Sequence, residues 1–192
     1  SDLPGLASQD NQEAGKKFLA SFHCRDHPRH LQAAPRYHRR DGAPMDLSAF
    51  LAAHGIAPAC HAHPPVMTVA ESERLVPPLP GARTKNLFLR DRKGVRHFLV
   101  TVPHALAVDL TALGQLLDAG RLGFASPDRL LRYLGVAPGS VSLLALVNDA
   151  THAVESVIDR ALWDAEAVQA HPLRNDATMV IAHADLERFL AA

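Results

Sequence analysis

The chain reads as a mixed α/β domain, with helices packed around one central sheet. Three observations carry this. Strand-like and helix-like segments interleave from Asp46 onward. Capping residues stand directly in front of helical periodicities at Asp46, Asp109 and Ser126-Pro127. Apolar runs bounded by turn residues, such as Val141–Val147, suit buried strands. With 192 residues, 47% of them apolar, one domain with a sizeable core is expected.

The elements follow in order. Residues 1–44 are polar, hold several Gly and Pro and show no sustained period, so a loosely ordered extension is expected ahead of a domain over 45–192. Asp46 caps a helix to about His54, with Gly55 as its stop and Leu47, Phe50 and Leu51 as its apolar face. Ala57 to His63 reads as a short strand ended by Pro64-Pro65. Thr68 and Glu71 have the spacing of a capping box for a helix to about Leu75. Three prolines at 77, 78 and 80 make a loop. Lys85–Arg90 and Val95–Val102 read as an antiparallel pair around Asp91-Arg92-Lys93-Gly94. A helix runs from Asp109 to about Leu117, and Leu122–Ala125 is a brief strand. Ser126 and Pro127 open a helix that stops at Gly135. Val141–Val147, Val154–Ile158 and Ala177–Ala182 complete the strands, and Asp185 caps a final helix.

Composition excludes several classes. No apolar run is long enough to cross a bilayer, and the polar, His-rich start lacks a signal-peptide core. A cytoplasmic protein is expected. Cys24 and Cys60 are the only cysteines, too few for a disulfide scaffold or a thiolate zinc site. His23, Cys24, His27 and His30 lie close together, but their spacing matches no common zinc finger, and no metal or other cofactor is expected. Formal net charge is zero. Yet Arg83, Lys85, Arg90, Arg92, Lys93 and Arg96 crowd one stretch opposed only by Asp91, a distribution able to neutralise phosphates.

Familiar catalytic signatures are missing. The chain has no phosphate loop, no dinucleotide fingerprint, no Gly-x-Ser-x-Gly elbow and no His-Glu-x-x-His helix. Three other strings stand out: Arg83-Thr84-Lys85-Asn86-Leu87-Phe88-Leu89, Leu134-Gly135-Val136-Ala137-Pro138-Gly139-Ser140-Val141, and His171-Pro172-Leu173-Arg174-Asn175. A lysine at a strand start is a compact charge for a phosphate or ribose. Asn86 both donates and accepts hydrogen bonds, which suits a ribose hydroxyl, a substrate amine or a strand-edge turn equally. Imidazole at His171 suits substrate binding or proton relay. The Gly135–Gly139 backbone could form an anion nest or simply cap a helix.

In this order and spacing, the strings resemble the YbaK-like, prolyl-tRNA-synthetase-associated editing domain, from about Met45 to the C-terminus. The resemblance is to the free-standing type that clears alanine mischarged onto proline tRNA. It implies a hydrolase acting on the ester of a mischarged aminoacyl-tRNA, with prolyl-tRNA synthetase as a possible partner. It implies Lys85, Asn86 and His171 as catalytic-site residues, and Val66, Met67, Gly135, Pro138, Gly139 and Asn175 around the substrate. Arg83, Arg90, Arg92, Lys93 and Arg96 become candidate tRNA contacts. Leu143-Leu144 stands where relatives often have Pro-Phe, and Asp176 where they often have Thr, both near the expected site. The alternatives are the same fold editing Cys-tRNA(Pro), a seryl or a threonyl ester, or a non-catalytic module that binds tRNA or a synthetase.

Overall fold

The computed structural model describes residues 22–24, 45–66, 71 and 74–192. Eight strands form one mixed sheet: β1 (Phe22–Cys24), β2 (Ala59–Ala62), β3 (Ala82–Arg90), β4 (His97–Pro103), β5 (Gly123–Phe124), β6 (Val154–Asp159), β7 (Ala167–Ala170) and β8 (Ala177–Ala182). Their order is β1-β6-β4-β3-β7-β8-β2, with β5 added to β3. The helices are α1 (Leu47–Ala53), α2 (Leu110–Leu116), α3 (Pro127–Leu134), α4 (Arg160–Trp163) and α5 (His183–Ala191), with a 3-10 turn over Leu143–Asn148. The fold class is the one expected.

Strand β3 organises the sheet. On one edge it pairs antiparallel with β4 from Thr84↔Pro103 to Arg90↔His97. Its other edge is divided. Ala82 and Arg83 pair in parallel with Val168 and Gln169 of β7, whereas Leu89 and Arg90 pair with Phe124 and Gly123 of β5. Between these short ladders, no strand among the described residues lies alongside Thr84 to Phe88 on this edge.

Side chains alternate across a strand, so the two sheet faces are distinct. Leu87 and Leu89 pack with Phe98, Val100, Val102 and Val157 against Leu113 and Leu117 of the α2 region. Phe88 and Leu99 face the other way, onto Leu130, Leu134, Val136 and Ala145. That second face continues into Ile158, Val168, Ala170, Met179 and Ile181, covered by Leu47, Leu51, Leu143, Leu144, Leu186 and Phe189.

Helix caps act as expected. The Asp46, Asp109 and Ser126 side chains accept from the first-turn amides of α1, α2 and α3. Gly135 ends α3 at φ 63°, a left-handed conformation that costs glycine little. Four elements after Met45 differ from the sequence-based expectation. Val141–Val147 is not a strand. Ser142 caps a 3-10 turn by accepting from the Leu144 amide, and Leu143, Leu144 and Ala145 go into the core together. The segment is Leu-Leu-Ala-Leu at its centre, helix-forming residues rather than β-branched ones. The final helix starts at His183 with no side-chain cap, so Asp185 lies in its first turn. The four-residue β7 and α4, the latter capped by Asp159, were not foreseen.

The expected extension lies mostly outside the described residues, apart from β1, which pairs antiparallel with β6. Thr68 of the expected capping box also lies outside them, while Glu71, Arg74 and Leu75 are helical. Among the described residues, no helix is long and apolar enough to cross a membrane, and no three metal-ligating side chains cluster.

Gly114 shows how closely α2 is held to the chain that follows it. A Cβ there would lie 1.9 Å from the Gly120 carbonyl oxygen, a backbone atom with little room to retreat. Gly114→Ala is expected to lower stability by about 1–3 kcal/mol, seen as an earlier urea midpoint with an unchanged slope.

Candidate active site

The site begins where β3 and β7 part. Thr84 Oγ1 donates to the Gln169 carbonyl at 2.6 Å and ties the strands at their last shared point. One residue after Ala170 the β7 strand has ended. Lys85 lies two residues beyond the last β3–β7 pair on one strand, and His171 two residues beyond it on the other. Alternation puts Arg83, Lys85, Gln169 and His171 on one face, that of Leu87 and Leu89. Lys85 is half-buried there, beside the edge of the α2 core.

His171 is oriented by main chain. Its Nδ1 lies 3.0 Å from the Ala177 carbonyl. A carbonyl only accepts, so Nδ1 carries the proton and Nε2 is left as an acceptor in the neutral ring. A second histidine packs against it edge-on, His63, with ring centroids 6.3 Å apart. His63 is buried and fully engaged: Nδ1 donates to the Pro64 carbonyl at 2.8 Å, and Nε2 accepts from Thr178 Oγ1 at 3.0 Å. His63, Thr178 and Gln169 were not singled out from sequence. The only available signal was a histidine just ahead of Pro64-Pro65.

The loop carrying His171 is braced from two sides. The amides of His63 and Val66 donate to the carbonyls of Asp176 and Asn175 at 3.0 and 2.9 Å. Val66 is buried against this loop. Leu173 adopts φ 62°, an outlier for a bulky side chain, and packs between the two core clusters of the opposite face. Asp176 pairs with Arg174 at 3.3 Å. Met67 lies outside the described residues. Gln169 holds the approach: its side-chain amide donates to the carbonyls of Leu79, Pro80 and Gly81 at 2.9–3.2 Å. A cleft of about 530 Å³ opens there, lined by residues 74–79, Gly81, Arg83 and Gln169.

Asn86 is not brought to Lys85. It points to the opposite face, where its Oδ1 accepts from the buried Thr101 hydroxyl at 2.8 Å. The one-residue offset in a strand is the reason. The Gly135–Gly139 segment also belongs to that face through Val136, with Pro138 and Gly139 exposed at its tip. Asn148 fastens it, donating to the Leu134 carbonyl at 2.8 Å while accepting from the Met45 amide.

The basic residues separate into three settings. Arg83 lies in the cleft beside Gln169. Arg90, Arg92 and Lys93 line a second groove, with Gly94, Phe124, Ser126 and Arg129. Arg96 departs from the expected role, because its donors are consumed within the protein. It forms a two-pronged pair with Glu155 at 2.7 Å and also donates to the Leu117 and Asp118 carbonyls.

A model of the aminoacyl-tRNA editing domain matches residues 63–189, which includes every element of this site. The chain belongs to that family. It is 40% identical over 130 residues to the prolyl-tRNA editing protein ProX of Acetoanaerobium sticklandii, covering 68% of this chain and 79% of the relative. It is 42% identical over 154 residues to the prolyl-tRNA synthetase associated domain-containing protein 1 of Danio rerio, covering 77% and 83%. The fold matches the crystal structure of hypothetical protein APE2540, with TM-score 0.62 and 20% identity over 76% of this chain and 94% of that one. It also matches a proposed trans-editing enzyme for prolyl tRNA synthetase, with TM-score 0.60 and 21% identity over 76% and 90%.

One titrating group lies behind the second groove. His97 is 1% exposed, stacked on Phe88 and Tyr133, and its Nε2 lies 2.7 Å from Arg129 Nη1. Burial, then the Arg129 charge, holds its pKa below the ordinary 6.5. The unfolded chain therefore binds this proton more readily, so the contribution is full above about 6.5 and is lost as pH falls below it. Thermal unfolding should show Tm dropping between pH 7 and pH 5, with a shallower drop in His97→Gln; equal slopes would remove His97 as the cause.

Proposed function

We propose that this protein hydrolyses the ester bond of a mischarged aminoacyl-tRNA in trans, with Ala-tRNA(Pro) as the preferred substrate. The observation that carries the reading is the shared face of Lys85 and His171 at the parting of β3 and β7. Family membership and the names of the relatives support the substrate class.

The chemistry asks for little apparatus. An aminoacyl ester is already activated towards water, so positioning and hydrogen bonding supply most of what is needed. Lys85 holds the terminal phosphate or ribose. His171, with Nε2 as an acceptor, binds the attacking water or the substrate amine. Val66 belongs to the wall of the amino-acid pocket, Asn175 braces the loop, and the Gly135–Gly139 backbone, from the Phe88 side of β3, supports the adenosine or carbonyl across the open edge. A synthetase pocket shaped for proline excludes a smaller amino acid by only about 1–3 kcal/mol. A second, narrower pocket then admits alanine and rejects proline. Such an enzyme works where tRNA is charged, which points to the cytoplasm and to prolyl-tRNA synthetase as a partner.

Release of alanine from preformed Ala-tRNA(Pro) tests this, with Pro-tRNA(Pro), Ala-tRNA(Ala), Cys-tRNA(Pro) and seryl and threonyl esters alongside. Alanine should be released selectively, and Lys85→Ala should slow release about a hundredfold or more. Preference for another ester would reassign the substrate. Binding of tRNA without hydrolysis of any ester would make the protein a non-catalytic module.

A further inference from the structure

The groove at the far end of β3 carries an inference that rests on the editing reading and extends it. Four cations line it, Arg90, Arg92, Lys93 and Arg129, and no carboxylate does. Among the described residues, none of the four is ion-paired, whereas Arg96, Arg160, Arg174 and Arg188 all are. Two of the guanidinium groups are fixed by neutral partners instead. Arg90 donates to the Asp91 and Arg92 carbonyls, and Arg129 donates to the Gly94 carbonyl and to His97. Their positive charge is held in place, opposed only by Asp91 in the same turn.

Phe124 stands at the rim, 65% exposed. An aromatic face beside unpaired cations is the pairing that binds single-stranded nucleic acid, through stacking of a base and contact with phosphates. Phe124 is the register partner of Leu89, whereas Arg90 pairs with His97 and Arg129 lies on α3 over the Phe88 face, so the groove spans both faces at the end of β3. Leu89 and Lys85 are four residues apart on β3, roughly 14 Å at strand rise. Between them runs the edge from Lys85 to Leu87, which no strand among the described residues pairs.

We propose that this groove binds the unpaired 3′ end of the tRNA, with phosphates on Arg90, Arg92, Lys93 and Arg129 and one base stacked on Phe124, while the strand runs along the open edge of β3 to Lys85. The volume of about 360 Å³ suits a nucleotide rather than a duplex. The Ser126 hydroxyl, which accepts from the Arg129 amide, keeps its own proton for a phosphate oxygen.

The test uses uncharged tRNA(Pro), intact or trimmed of its unpaired 3′ nucleotides, with affinity read by fluorescence anisotropy at two salt concentrations. Arg92→Glu/Lys93→Glu should weaken binding of the intact tRNA about tenfold and flatten its log-log salt slope by about 1.4. Phe124→Ala should weaken it about fivefold or more. All three proteins should bind the trimmed tRNA alike. Unchanged affinity for intact tRNA, or an equal loss on trimmed tRNA, overturns the proposal. Hydrolysis of 3′-alanyl-adenosine, too short to reach the groove, should be the same in the wild type and the variants. Absence of that hydrolysis in the wild type counts against the editing reading, while the binding arm still decides the groove.

Discussion

Strand β3 is held along the whole of one edge and only at the two ends of the other. That divided pairing is the constraint on which the remaining geometry depends. Because β7 leaves β3 after Arg83, a stretch of central strand has no neighbouring strand on that edge among the described residues. A gap of that kind exposes backbone and side chains that would otherwise be buried, while both flanks stay rigid. Substrate-binding clefts form where neighbouring strands separate for the same reason. Lys85 lies on β3 two residues past the last shared pair, and His171 opens the braced loop that follows β7, so the candidate site sits where the strands separate.

Keeping the gap open demands bracing, and the structure supplies it from both faces. Gln169 ties three consecutive carbonyls of the 79–81 loop, and Thr84 closes the last contact before the strands part. On the opposite face Leu173 plugs the space between two apolar clusters, which sets the path of the His171 loop. The strained φ at Leu173 is offset by partial burial of its side chain between the clusters, a fraction of the about 1.5–3 kcal/mol that full burial of a leucine is worth. The main chain then fixes the His171 tautomer. Little of this bracing is provided by charge; it is done by amides, carbonyls and packing.

Much of the fold was legible in the sequence because capping chemistry is local. Asp46, Asp109, Ser126-Pro127 and Gly135 mark helix ends within one or two residues, and the β3–β4 hairpin follows from its turn. What failed is non-local. The 143–148 segment is apolar throughout, and apolarity alone does not separate a buried strand from a buried helical turn. The four-residue β7 carries too few residues to show a period. The motifs single out Lys85 and His171 as candidates, but the motif order hides strand alternation. Asn86, adjacent in sequence, is turned to the Thr101 side, and Arg96, one of a run of cations, is taken by Glu155, 59 residues away. His63 and Gln169 act through contacts that no local spacing reveals.

The central claim is that alternation along β3 separates two neighbours by role: Lys85 serves the reaction and Asn86 supports the sheet. Single-turnover ester hydrolysis and urea unfolding, measured together for Asn86→Ala, test it most directly. The account predicts a loss of stability of about 1–3 kcal/mol, from a buried Thr101 hydroxyl left without its acceptor, with the rate at saturating substrate within a few-fold of wild type. A rate collapse in Asn86→Ala at unchanged stability would contradict it, because the side chain would then be acting on the substrate and not on Thr101.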